Sequence, residues 1–100
     1  MKYRSRISSL AKKDLKDAVK WYDERKKGLG KQLILKVREC TATIEKNPLF
    51  FQVRYKNIHT AVLRQFPYMI HYLVDEKTNA IEIIAILHTY RSPDIWNSRV

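Results

Sequence analysis

Two amphipathic stretches joined by almost nothing constrain this chain more than any other feature. In "SSLAKKDLKDAVKWYDERKKGLG", Ala11, Leu15, Ala18 and Tyr22 recur at spacings of four, three and four, which puts them on one stripe of a helix, with Leu10, Val19 and Trp21 beside it. Ser8 or Ser9 opens that helix, since a serine hydroxyl accepts from the free N–H groups of a first turn. Gly28 and Gly30 punctuate its end, because glycine enters the left-handed conformation that stops a helix without a Cβ clash. From Lys31 to about Lys46 a second stripe runs through Leu33, Val37, Thr41 and Ile44, flanked by Ile34 and Cys40, and Asn47-Pro48 closes it. So short a connection predicts an antiparallel helical hairpin. Two helices alone bury their stripes poorly, so the hairpin needs something flat to lie on.

The second half supplies a sheet. "FFQVRYKN" alternates weakly, and "IHTAVLRQF" places Thr60, Val62, Arg64 and Phe66 on one side against His59, Ala61 and Leu63 on the other. "YMIHYLVDE" and "AIEIIAILHTY" are rich in the β-branched and aromatic residues that strands favour. Turn signals at Lys56-Asn57, Phe66-Pro67 and Lys77-Thr78-Asn79 are close enough together for an antiparallel meander. "KYRSRI" at the start alternates too and adds an edge strand. The expected fold class is α+β: an N-terminal edge strand, then a helical hairpin packed on a twisted antiparallel sheet of three to five strands.

One hundred residues is the length of one compact domain, 1–100. Twenty Lys and Arg against ten Asp and Glu leave a formal charge of +10, a field that attracts polyanions or an acidic protein partner. The charge is spread: residues 1–8 net +3, 9–47 net +5 and the remainder +2, so it coats a folded body instead of forming a basic tail. Cys40 is the only cysteine, which excludes an intrachain disulfide and fits a reducing cytoplasm. His59 and His71 lack neighbouring ligands in sequence, so neither metal nor other cofactor is expected. The basic start has no apolar segment behind it and no run approaches a membrane span, so no membrane partner is expected either.

Three stretches, "ISSLAKKDLKDAVKWYDERKKGLGKQLILKV", "VLRQFPYMIHY" and "AILHTYRSPDIWNSR", together resemble the ParE/RelE superfamily of small bacterial toxins from type II toxin–antitoxin (plasmid stabilisation) modules. The last is the most specific: a strand running into His88, then Arg91, Pro93 and Trp96, is similar to the ParE side. The resemblance implies a helical hairpin on a twisted sheet and an antitoxin whose C-terminal segment wraps the toxin. RelE-like members cleave mRNA inside the ribosome and ParE-like members poison DNA gyrase, and a shared fold does not choose between them. The favoured expectation is a ParE-like gyrase inhibitor that acts by binding, neutralised by an acidic antitoxin. The alternatives are a ribosome-dependent mRNA endonuclease and a degenerate, non-toxic antitoxin-binding member.

A nuclease of the RelE kind needs a group to activate the 2′-hydroxyl, cations for the phosphate and an acid for the leaving oxygen. By resemblance the candidates are Arg64, His88, Tyr90 and Arg91, with Lys56 more distant. Against that role, Arg64 also suits an ion pair or a solvated edge, and His88, continuing the Glu82, Ile84 and Ile86 side of its strand, suits hydrogen-bonded packing. Tyr68 and Tyr72 suit core or cross-strand pairs. Arg91 before Ser-Pro is aimed by a rigid turn and suits a phosphate or an acidic antitoxin residue. Trp96 either caps the sheet or offers a hot spot, so Arg64, Arg91 and Trp96 form the binding set. Between Asn57 and Val74 only Arg64 is a basic side chain, sparse for a ribosome-bound nuclease. Lys12, Lys13, Lys16, Lys20, Lys26 and Lys27 load the first helix instead, where they serve solubility or face DNA near gyrase.

Overall fold

Each apolar stripe becomes a helix. In the computed structural model, which describes residues 3–90, β1 (Arg4–Ile7) leads into α1 (Ser9–Arg25), followed by α2 (Leu29–Lys46), β2 (Val53–Tyr55), β3 (Ile58–Val62), β4 (Tyr68–Asp75) and β5 (Ala80–His88). Ser8 is the N-cap of α1, and its Oγ accepts from the Ala11 N–H at 3.1 Å. Gly28 takes φ 93°, the left-handed conformation that turns the chain, and α2 then starts at once, earlier than the expected Lys31. Gly30 is therefore the second residue of α2 and not a loop glycine. A Cβ there would come within 2.7 Å of Val19 Cγ1 and Asp23 Oδ2, so its absence lets the helices close on each other. The Gly30 N–H donates to Asp23 Oδ1 at 2.8 Å across that gap, giving one orphan donor of the first turn a partner.

The five strands form one sheet in the order β1-β5-β4-β3-β2. β2 to β5 are the expected antiparallel meander. β1 adds at the expected edge but runs parallel to β5, with Arg4 opposite Ala80 and Ile7 opposite Ile83, so the sheet is mixed. Parallel pairing follows from the connectivity, because the hairpin lies between β1 and the sheet and acts as a crossover. The β2–β3 turn carries Lys56 at φ 40° and Asn57 at φ 65°, both positive as a two-residue hairpin turn requires.

The core fills the space between hairpin and sheet. Ala11, Ala18, Leu33, Val37 and Ile44 from the helices meet Ala61, Phe66, Ile70, Tyr72, Ile81, Ile83 and Ile86 from the sheet. Ile58, Met69, Ile84, Ala85 and Leu87 make a second cluster with Tyr55 and Leu73. Strand alternation puts this second cluster on the opposite face.

β5 changes phase part-way. His71 pairs with Ala85 but Tyr72 pairs with Ile83, so the register shifts and Ile84 is the inserted residue between the two pairs. Beyond this bulge Ile86 and His88 fall on the hairpin side with Ile81 and Ile83. The expected face shared by Glu82, Ile84, Ile86 and His88 is thus corrected, since simple alternation misses an inserted residue. β1 reaches only to Ile83, and α1 takes over the edge from there. The Ser8 N–H donates to the Ile83 carbonyl at 2.9 Å, and the Ile86 N–H donates to Asp14 Oδ2 at 3.0 Å.

Candidate functional site

Arg64 does not lie on a strand. β3 ends at Val62, and Arg64 sits in the bend before Gln65, whose φ of 68° turns the chain towards Pro67. The Leu63 N–H donating to the Tyr68 carbonyl at 2.9 Å closes that loop. Arg64 is exposed and lines a groove of about 320 Å³ with Lys36, Glu39, Cys40, Thr43 and Val62, between α2 and the end of β3. Lys36 Nζ lies 3.4 Å from Glu39 Oε1, while Arg64 has no ion pair among the described residues. One cation of the groove is therefore neutralised and the other is offered outward.

His88 closes β5 in a different depression, of about 160 Å³, whose polar lining includes Asp14 and Asp17 and whose aromatic walls are Trp21 and Tyr68. Its Nδ1 accepts from the Tyr90 N–H at 3.1 Å, which puts the proton of the neutral ring on Nε2. The Tyr68 ring meets it edge-on at 5.4 Å, and the Thr89 N–H donates to the Pro67 carbonyl at 2.8 Å, tying the strand end to the opposite turn. His88 is thus positioned by packing and backbone. Tyr90 is 87% exposed, with its ring 5.2 Å from that of His88. The groove of Arg64 and the depression of His88 share no lining residue. Tyr90 joins His88 but neither joins Arg64, and Lys56 is carried off to the tip of the β2–β3 hairpin. Arg91 and Trp96 lie outside the described residues.

The other two histidines are structural, on opposite faces. His59 stacks on Tyr72 at 5.0 Å with an interplanar angle of 14°, and its Nδ1 donates to the Phe51 carbonyl at 2.7 Å. His71 bonds the Tyr55 hydroxyl through Nδ1 at 2.9 Å among the residues of the second cluster. Among the described residues no group of histidine, cysteine, aspartate and glutamate is arranged to hold a metal.

Burial pushes the Cys40 thiol up to about 11 from its ordinary value near 9. The Tyr72 hydroxyl is raised well above 10 by its own burial, with the Cys40 thiolate adding repulsion. Both groups bind their protons more tightly when folded; the contribution of Cys40 is fully present below pH 9 and is lost as the pH rises through 11, and that of Tyr72 is lost at higher pH still. We expect the melting temperature to be flat to about pH 9 and then to fall, Cys40 accounting for on the order of 2 kcal/mol or roughly 10 °C by pH 11. Cys40→Ala should remove the early part of that fall in calorimetric scans. An equally steep early fall in the variant would assign the effect elsewhere.

Sequence reasoning missed Lys36 as a wall of the Arg64 groove, for the spacing of Lys36 to Cys40 and Thr43 reads only as one side of α2 until β3 is placed beside it. It also missed the exposed pair Leu49 and Phe50 on the α2–β2 connection, at 57% and 78% exposure. Trp21, placed beside the apolar stripe, turns out to be 46% exposed with the Arg25 guanidinium 3.4 Å above its ring.

The fold is thus a helical hairpin laid on a mixed five-stranded sheet. The structure is similar to that of the chromosomal ParDE TA system from P. aeruginosa, with a TM-score of 0.75 at 13% identity over 86% of this chain and 95% of that one. It is also similar to the toxin–antitoxin complex RelBE2 from Mycobacterium tuberculosis, with a TM-score of 0.65 at 19% identity over 88% of this chain and 92% of that one. No curated relative matches the chain. Residues 6–93 match the family model of the ParE toxin of the type II toxin–antitoxin system parDE, and the chain belongs to that family.

Proposed function

We propose that the chain is a ParE-like toxin that acts by binding, inhibiting DNA gyrase without covalent chemistry of its own, and that a cognate acidic antitoxin neutralises it. One observation carries the binding mode: Arg64 and His88, the residues a nuclease would need to act together, line separate depressions. His88 Nδ1 is moreover occupied by a backbone N–H. General acid–base catalysis requires its groups within reach of one reacting centre. Exposed Arg64 is the cation offered to an acidic partner, and the net charge of +10 favours encounter with one. Arg91 and Trp96 complete the proposed binding set. The two structures compared above are toxin–antitoxin assemblies, which supports an antitoxin as partner. No helix among the described residues is long and apolar enough to cross a membrane.

The test incubates antitoxin-free protein, shown to be toxic on expression, with gyrase, ATP and plasmid, and quantifies protein-linked linear DNA after detergent treatment. Linear DNA should accumulate, antitoxin should relieve it, and Arg64→Ala with His88→Ala should leave the fold intact. Undisturbed supercoiling from a toxic preparation would sink the proposal and turn the same double variant to an assay of ribosome-dependent mRNA cleavage.

A further inference from the structure

The carboxylates of the hairpin are mostly engaged within the protein. Asp14 accepts from the Ile86 N–H, Asp17 from Lys13, Asp23 from the Gly30 N–H, Glu39 from Lys36 and Glu45 from the Ser5 hydroxyl. Several of its outward cations are not so engaged. Lys12, Lys16 and Lys20 are exposed, stand four residues apart along α1, and have no ion pair among the described residues. On α2, Lys31 and Arg38 are exposed, two turns apart on one side, and likewise have none. Like charges at four-residue spacing weaken a helix, so this row is not explained by the stability of α1. It is also rigid: the cations rise in steps of about 6 Å along the axis.

We propose that this outer face of the hairpin is a contact surface for the phosphate backbone of duplex DNA. A regular row of unpaired cations on a stiff element is matched by a regular row of phosphates, and releasing their counterions supplies sequence-independent affinity. Unpaired strands are held differently, by aromatic platforms that stack their bases. Trp21 and Tyr22 do not serve as one here: Trp21 is covered by Arg25, and Tyr22 packs on Phe66 in the core. The surface is separate from both the Arg64 groove and the His88 depression, and it does not depend on gyrase being the target.

The test measures anisotropy of a short fluorescent duplex of random sequence against protein over a salt series. It compares the parent with Lys12→Gln/Lys16→Gln/Lys20→Gln, whose glutamines keep helix propensity, and with Lys16→Glu alone should the triple variant lose its circular dichroism. A control, Arg6→Gln/Lys56→Gln/Lys77→Gln, removes the same charge outside the hairpin. The α1 triple should bind at least tenfold more weakly and flatten the slope of log K against log salt by about 2 to 3, while the control changes little. Lys16→Glu alone should weaken binding several-fold. Unchanged affinity and slope would overturn the proposal, leaving a solvated face. Equal loss in the control would overturn it in favour of net charge. Preference for a single strand of the same length, or displacement of the duplex by polyglutamate at equal charge, would overturn the assignment to duplex DNA.

Discussion

Replacing Tyr72 by alanine is expected to cost about 4 kcal/mol, a large part of the total stability of a domain this size. Tyr72 is fully buried, and three interactions converge on it. Its ring stacks on His59, it meets the edge of Phe51 at 6.4 Å, and its hydroxyl donates to the Pro48 carbonyl at 2.7 Å. That last bond fixes the exit of α2 to the middle of the sheet, so alanine would remove packing and a tether together. Tyr72→Phe keeps the ring and should cost about 1 to 2 kcal/mol, for the lost bond and the buried carbonyl left behind. Urea unfolding of the two variants separates these contributions. A phenylalanine variant as unstable as the alanine one would mean that the tether, and not the packing, holds this part of the fold.

Asp14→Ala should lower stability by about 2 kcal/mol, or roughly 10 °C in melting temperature, because the carboxylate serves a backbone donor that no strand reaches. Beyond Ile83 the edge of β5 has no β1 beside it, and Asp14 on α1 accepts from the Ile86 N–H in place of a strand carbonyl. Asp14→Asn retains an acceptor and should recover most of the loss. Hydrogen exchange gives the direct readout: the Ile86 amide should lose protection in the alanine variant and largely regain it in the asparagine one. Full protection of that amide in Asp14→Ala would show that another group closes the edge.

Most of the architecture was legible because it rests on local patterns. Ala11, Leu15, Ala18 and Tyr22 could only be one helical stripe, Asn47-Pro48 could only be a stop, and Lys56-Asn57 is a turn by its chemistry. The departures come from contacts distant in sequence. Nothing in "KYRSRI" states whether its partner runs with it or against it, and the bulge at Ile84 arises where α1 replaces β1 as neighbour of β5. Gly30 has the look of a loop glycine, yet it belongs to a helix because Val19 and Asp23 lie across from it. Candidate residues could be read one by one, but not their arrangement. Arg64 and His88 could be named as candidates, while their separation depended on where β3 ends and on the phase of β5 after its bulge. The groove wall at Lys36 depended on a strand that approaches from elsewhere in the chain.

The parallel pairing of β1 with β5 also sets the order in which the molecule can be made. The two helices nucleate from neighbours in sequence, but Arg4 finds Ala80 only after residues 5–79 have been made, and α1 packs against that same strand. A growing chain therefore carries an unmated first strand and an incompletely covered α1 until β5 is made, and unpaired strand edges and exposed apolar surface of that kind favour misassembly. Whatever a target recognises across the whole sheet comes into being only when β5 takes its place between β1 and β4.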